Sequence, residues 1–246
     1  MEIGLYIIGD EILSGRRQDR HLVAVIELLK QHQLSLSWVQ IVGDDFDRLV
    51  DRFKQSLRSE DFVITTGGIG GTPDDMTRAA IAAASGVPLQ YHPEGLAILR
   101  NKFGSELNSL RQRMVEFPKG AKLIPNPINQ IPGFSFYNHH CVPGFPEMAR
   151  PMIGWVLQNA LGQSTLLTIV EHSVRVKDTP ESHLIPLMEN LLHTYSDLKV
   201  FSLPSIQAGN RFVELGVRGD ETIVAAAMKD IERALGELGK KWEHVD

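Results

Sequence analysis

Four glycines in five positions, Gly67-Gly68-Ile69-Gly70-Gly71, constrain this chain more than any other feature. They follow Asp61-Phe62-Val63-Ile64, which reads as a buried strand reaching Thr66, and lead toward the alanine-rich run Arg78 to Ser85, which reads as a helix. A plain strand-to-helix turn needs only one or two glycines. Four let the backbone turn tightly and bring its N–H groups close to a ligand. The helix behind adds free N–H groups and the positive end of its dipole, so a phosphate or pyrophosphate is the natural guest.

Thr72-Pro73-Asp74-Asp75 admits two readings. Threonine at N-cap, proline at N1 and an acid at N3 resemble a capping box, which places both aspartates just inside the helix. Alternatively, Asp74 and Asp75 hold a divalent cation, because without one they would repel an incoming phosphate. Mg²⁺ is the expected ion, since it binds through one or two carboxylates plus phosphate oxygens, with Mn²⁺ or Co²⁺ as substitutes.

The flanking pattern sets the fold class. Ile3 to Ile8 is a continuous apolar run, the mark of a strand buried on both faces. Leu22, Val25, Ile26 and Leu29 recur at helical spacing, Trp38 to Val42 reads as a strand, and Phe46, Leu49, Val50, Phe53 and Leu57 give an amphipathic helix. Strands alternating with helices imply parallel strands and right-handed crossovers. Residues 1–162 are therefore expected to form an α/β three-layer sandwich with a mostly parallel sheet, its ligand beyond the carboxyl ends of the strands. Leu96 to Arg113 reads as one helix, and Pro118, Pro125, Pro127 and Pro132 mark a loop-rich return to the sheet. A hairpin across Asn138-His139 and a helix from Glu147 to Leu161 follow, with a boundary at Gly162-Gln163-Ser164. Residues 163–246 then read as a small βαββα unit of the α+β class, with Gln207-Ala208-Gly209-Asn210 turning between its paired strands.

Two further acidic clusters end strands of the first unit. Gly9-Asp10-Glu11 follows the first strand and Gly43-Asp44-Asp45 the second. Each has a bland reading, as a surface turn or a helix cap. Their convergence with Asp74 and Asp75 at one sheet rim favours a metal-bearing site. Pro143-Gly144-Phe145-Pro146 either fixes a turn or offers a second backbone cradle through Gly144. The histidines, His139-His140 included, show no ligand spacing and are read as core or surface residues.

Composition removes other classes. A net charge of −5 with scattered lysine and arginine leaves no basic footprint for nucleic acid. The one cysteine, Cys141, excludes an internal disulfide or a cysteine-built zinc site. With no signal-like head and no apolar run of about 18 residues, the expectation is a cytoplasmic protein without a membrane partner.

Gly9-Asp10-Glu11-Ile12-Leu13-x-Gly15, Val42-Gly43-Asp44, Thr66-Gly67-Gly68-x-Gly70-x-Thr72-x-Asp74-Asp75-x-Thr77 and Pro143-Gly144-x-Pro146-x-Met148 occur in one order and spacing. Together they resemble the molybdopterin-binding fold of the MoaB/Mog family, nearest the N-terminal part of CinA and the related domain of FAD synthases. The resemblance covers essentially the whole chain, because CinA also carries a small α+β domain after its α/β domain. It implies a nucleotide or pterin ligand, self-association as a dimer or trimer, and one of two activities. One is metal-dependent hydrolysis of the pyrophosphate in ADP-ribose, as in the CinA branch. The other is transfer of AMP to a pterin phosphate, as in the Mog branch. A non-catalytic binding module is a third reading.

Carried residue by residue, the functional acids are Asp75 and Asp44; beside them, Asp75, Asp74, Asp10 and Glu11 are expected at the metal. Gly67, Gly68, Gly70, Gly71 and Thr72 are placed on phosphate. The chain departs from the pattern at Gly71, where CinA sequences usually have proline. It departs again at Asp19-Arg20-His21, which replaces Asp-Thr-Asn. The amidase domain of full CinA proteins is expected to be absent.

Overall fold

The run Ile3–Ile8 forms strand β1, buried at every position, in a computed structural model that describes residues 2–160, 169–207 and 210–245. The chain divides into two compact units, Met1–Ser164 and Thr165–Asp246. The expected boundary at Gly162-Gln163-Ser164 lies outside the described residues, as does the start of the strand expected from Leu166.

In the first unit β1 is followed by a short helix α1 (Asp10–Leu13), helix α2 (His21–Gln31) and strand β2 (Trp38–Val42). Helix α3 (Phe46–Ser56), strand β3 (Phe62–Thr66) and helix α4 (Thr77–Ser85) come next. Asp45 caps α3, its carboxylate accepting the Arg48 N–H at 2.8 Å, which settles that acid's role. Strand β4 (Leu89–Tyr91) and helix α5 (Pro93–Phe103) lead to helix α6 (Ser109–Gln112) and strand β5 (Glu116–Pro118). Strands β6 (Lys122–Ile124), β7 (Gly133–Phe136) and β8 (His139–Val142) and helix α7 (Pro146–Ala160) complete the unit.

The main sheet has six strands in the order β2-β1-β3-β8-β7-β6. β1 pairs in parallel with β2 and β3, and β3 with β8. β7 joins antiparallel to both β8 and β6. One face packs Leu5 and Ile7 with Val25 and Leu29 of α2 and Met152 and Ile153 of α7. The other packs Tyr6 and Ile8 with Leu49 and Phe53 of α3, Ile81 of α4 and Leu99 of α5. These are the three expected layers. β1 leads outward to β2 on one side, and the chain then crosses back to β3 on the other. The strand order reverses there, leaving a crevice at the carboxyl ends of β1 and β3.

Several expectations need correction. The helix expected over Leu96 to Arg113 is broken, because α5 ends where Gly104 turns to φ 51°. Asn108 then caps a new start by accepting the Arg111 N–H. The hairpin turns at Tyr137-Asn138, one residue early. Asn138 Nδ2 is tied to the carbonyls of Ser56, Ser59 and Asp61, so His139 enters the strand. β4, β5 and β6 are additions to the expected pattern, since strands of three residues carry no periodicity.

The second unit contains strand β9 (Ile169–Lys177), helix α8 (Ile185–Thr194), strands β10 (Lys199–Gln207) and β11 (Asn210–Asp220), helix α9 (Glu221–Glu237) and strand β12 (Trp242–Val245). The sheet order is β10-β11-β9-β12, antiparallel throughout. β12 is the correction to the βαββα pattern: the final strand pairs Trp242 with Val176 at the sheet edge. Val174, Leu215 and Val217 of the sheet pack on Leu191 of α8 and Ile231 of α9. The turn residues Ala208 and Gly209 lie outside the described residues.

Candidate functional site

A cleft of about 440 Å³ opens at the switch point of the six-stranded sheet. Ile8 and Gly9 from the end of β1, Asp44 from the end of β2 and Gly67 to Thr72 from the end of β3 line it. Gly144 from the loop after β8 closes one wall. The sequence motifs therefore meet in one place.

The glycine loop owes its course to contacts that a side chain would prevent. Gly67 takes φ 95°, and a β-carbon there would fall on the Ile8 carbonyl. Gly68 takes φ 66°, with the Thr77 hydroxyl where a β-carbon would stand. Buried Thr77 pins the loop by donating its hydroxyl to Gly67 O at 2.9 Å and its N–H to Gly68 O at 3.0 Å. The N–H of Gly67 goes to Val142 O. Among the described residues, the next four N–H groups, Gly68 to Gly71, have no acceptor within the chain. That is an anion nest in form.

α4 begins at Thr77, with Met76 at its N-cap, so Asp74 and Asp75 lie outside the helix. The expected capping box is corrected to a closed turn. The Thr72 N–H donates to the Asp75 carboxylate at 2.9 Å, and the Thr72 hydroxyl donates to the same oxygen. Thr72 is thus spent on holding Asp75, and both its donors are unavailable to phosphate. Asp75 in turn fills the space beside Gly70.

Asp10 and Asp44 brace each other. The Asp10 N–H donates to Asp44 Oδ2 at 3.0 Å, and the Asp44 N–H donates to Asp10 Oδ1 at 3.2 Å. Asp10 is not among the cleft-lining residues, whereas Glu11, Asp44, Asp74 and Asp75 are. Burial raises the Asp44 carboxyl above its usual range, and the negative charges of Asp10, Glu11 and Asp74 raise it further. A cation would relieve that crowding. Among the described residues, no three histidine, cysteine, aspartate or glutamate side chains gather as a ready-made metal cage. The acids rim the cleft, so their hard oxygens fit a cation that completes its shell with ligand phosphate and water.

The remaining wall was not legible in the sequence. Arg78, buried at the start of α4, donates through Nη1 to Arg113 O at 2.7 Å and Glu116 O at 3.0 Å. These bonds hold the segment carrying Met114, which lines the cleft and stands 3.4 Å from a β-carbon built on Gly71. Asn129, Ile131 and Pro132 come from the proline-rich return, and Phe145 and Met148 from the turn into α7. Arg17 is the basic residue at the rim. His139 and His140 lie in the core, consistent with their reading as structural residues.

The fold and cleft define an α/β sandwich protein with a glycine-walled, acid-rimmed site at the switch point of its sheet. The chain belongs to the probable molybdopterin binding domain family, whose model matches residues 4–163. The protein Ta0487 of Thermoplasma acidophilum is 26% identical over 239 residues, covering 95% of this chain and 93% of that protein. A CinA-like protein of Anaeromyxobacter dehalogenans is 31% identical over 191 residues, covering 74% of this chain but only 47% of its own length. A crystal structure of the protein CinA with unknown function from Thermoplasma acidophilum has a TM-score of 0.59 at 26% identity, covering 65% of this chain and 98% of that one. No helix among the described residues is long and apolar enough to cross a membrane.

Proposed function

We propose that the cleft binds a phosphorylated nucleotide with a divalent cation and hydrolyses the pyrophosphate of ADP-ribose or a close relative. One observation carries this reading. The unpartnered N–H groups of Gly68 to Gly71 and the carboxylates of Glu11, Asp44, Asp74 and Asp75 share one cleft. A nest alone would suit any small anion, and a carboxylate rim alone would repel one. The two together suit an anion that arrives with a cation.

In this reading the backbone N–H groups of Gly68, Ile69, Gly70 and Gly71 cradle the phosphates, with Gly144 opposite; the Gly67 N–H, expected on phosphate, is committed to Val142 O. Thr72 holds Asp75 in place. Asp74, Asp75 and Glu11 hold the cation, and Asp10 contributes by fixing Asp44. Bound there, Mg²⁺ would neutralise phosphate charge and acidify a water. Asp44, its carboxyl raised by burial and neighbouring acids, would orient the attacking water and accept its proton. The water oxygen bonds to one phosphorus, the bridging P–O bond breaks, and AMP and ribose 5-phosphate leave. Met114, Ile131 and Phe145 offer an apolar surface to a flat heterocycle.

The family's description as a probable molybdopterin binding domain favours a second reading, AMP transfer to a pterin phosphate. Both reactions use one nucleotide phosphate and differ in the acceptor. Purified protein incubated with ADP-ribose and Mg²⁺, Mn²⁺ or Co²⁺ should release AMP. Asp75→Asn should lower that rate at least about 100-fold while the protein still melts cooperatively. Unchanged turnover would remove Asp75 from the site. AMP transfer to a pterin phosphate, with no hydrolysis, would support the second reading. Binding without turnover would leave a nucleotide-binding module. Sedimentation would test the expected dimer or trimer.

A further inference from the structure

Asp19-Arg20-His21, the segment that departs from the CinA pattern, reaches across to the turn carrying Gly144. Asp19 starts α2 by accepting the His21 N–H at 2.9 Å and the Leu22 N–H at 3.0 Å. Arg20 Nη1 meets Glu147 Oε1 at 3.3 Å, an exposed pair that contributes little by itself. His21 is different. Its ring is buried, 5% exposed, and Nε2 lies 3.3 Å from Gly144 O. Burial lowers the ring's pKa, against the Gly144 hydrogen bond and the charges of Asp19 and Glu147, and so favours the neutral form. A neutral ring facing a carbonyl must carry its proton on Nε2 and donate it.

The Gly144 carbonyl shares its peptide with the Phe145 N–H. In a trans peptide the two point in opposite directions. Committing the carbonyl to α2 therefore turns the Phe145 N–H away from α2, and that N–H has no acceptor among the described residues. Phe145 and Gly144 both line the cleft, and a β-carbon on Gly144 would stand 3.4 Å from Gly67 Cα. The glycine loop and this turn are thus in direct apposition. A carbonyl released from His21 could rotate inward and repel a phosphate.

We infer that His21 is a positioning residue that locks the Gly144–Phe145 peptide, keeping the carbonyl out of the cleft and presenting the Phe145 N–H to an anionic oxygen of the ligand. The inference rests on the cleft being the ligand site proposed above, yet part of its test is independent of any ligand. Hydrogen exchange over residues 142–148 should rise in His21→Phe, which fills the ring's space without a donor. His21→Gln, which restores an amide N–H, should return exchange toward the wild-type level.

With Mg²⁺ present, ADP-ribose should bind His21→Phe about tenfold more weakly and His21→Gln near normally. Unchanged exchange in His21→Phe overturns the lock whatever the cleft binds. Altered exchange in a protein that binds no ADP-ribose keeps the lock and sinks the nucleotide reading. Should His21→Phe fail to fold, the ring nitrogen shifts of the wild type decide. An Nε2–H tautomer supports the lock, and an Nδ1–H tautomer overturns it.

Discussion

Gly67 shows how narrowly the cleft depends on single residues. Its φ of 95° and its fit against the Ile8 carbonyl leave no room for a methyl group. Gly67→Ala must shift either the loop or the end of β1. The expected cost is about 2 kcal/mol or more in stability, with loss of nucleotide binding, measured by urea unfolding and calorimetric titration. Wild-type affinity in that variant would mean the loop is not the phosphate cradle. Thr77 is the complementary case. The motif contains it, but its work, two hydrogen bonds pinning Gly67 and Gly68, shows only when α4 is in place. Asp74 and Asp75 look like helix caps in sequence because a threonine and a proline precede them. The chain instead closes a separate turn there, since Asp75 can accept both donors of Thr72 without joining the helix.

Strand β8 carries the clearest pH dependence. His139 and His140 are adjacent, buried and point to opposite sheet faces. His139 bonds Ser56 Oγ at 2.8 Å, and His140 bonds Ser135 Oγ at 2.9 Å and stacks on Phe62. Burial lowers His139 to about 3, helped by the neighbouring His140, and lowers His140 to about 4. Both folded values lie below the ordinary value of 6.5. As pH falls below 6.5, the unfolded chain gains protons that the native state refuses, so stability falls until pH approaches the folded values. Between pH 7.5 and 5.5 the two should cost about 3 kcal/mol, read as a lower urea midpoint. His140→Phe should flatten that slope by roughly half. A midpoint independent of pH would place protonated histidines in the native state.

At the scale of the whole molecule, each unit has a core of its own. Leu215 is fully buried among Val174, Leu191 and Ile231 in the second unit. Leu215→Ala should destabilise that unit by about 2–5 kcal/mol. It should leave the affinity of the cleft for ADP-ribose unchanged, because every cleft-lining residue belongs to the first unit. Calorimetry and ligand titration of the full chain check both. A weakened cleft would show that the second unit supports it.

The sequence by itself determined the strand and helix alternation through β3, the three-layer class, and the rim on which the acids gather. Those follow from local rules: apolar runs make buried strands, three-and-four spacing makes amphipathic helices, and clustered glycines mark backbone approach. The tertiary structure alone decided which polar groups are already committed. It turned Asp10 toward Asp44, joined His21 to Gly144 and brought Met114 against Gly71. It also set β12 on the second sheet, where a short exposed segment gave no periodic signal. The physical reason is common to all of them. A hydrogen bond across the fold depends on where two distant backbones meet, and no local pattern of residues encodes that distance.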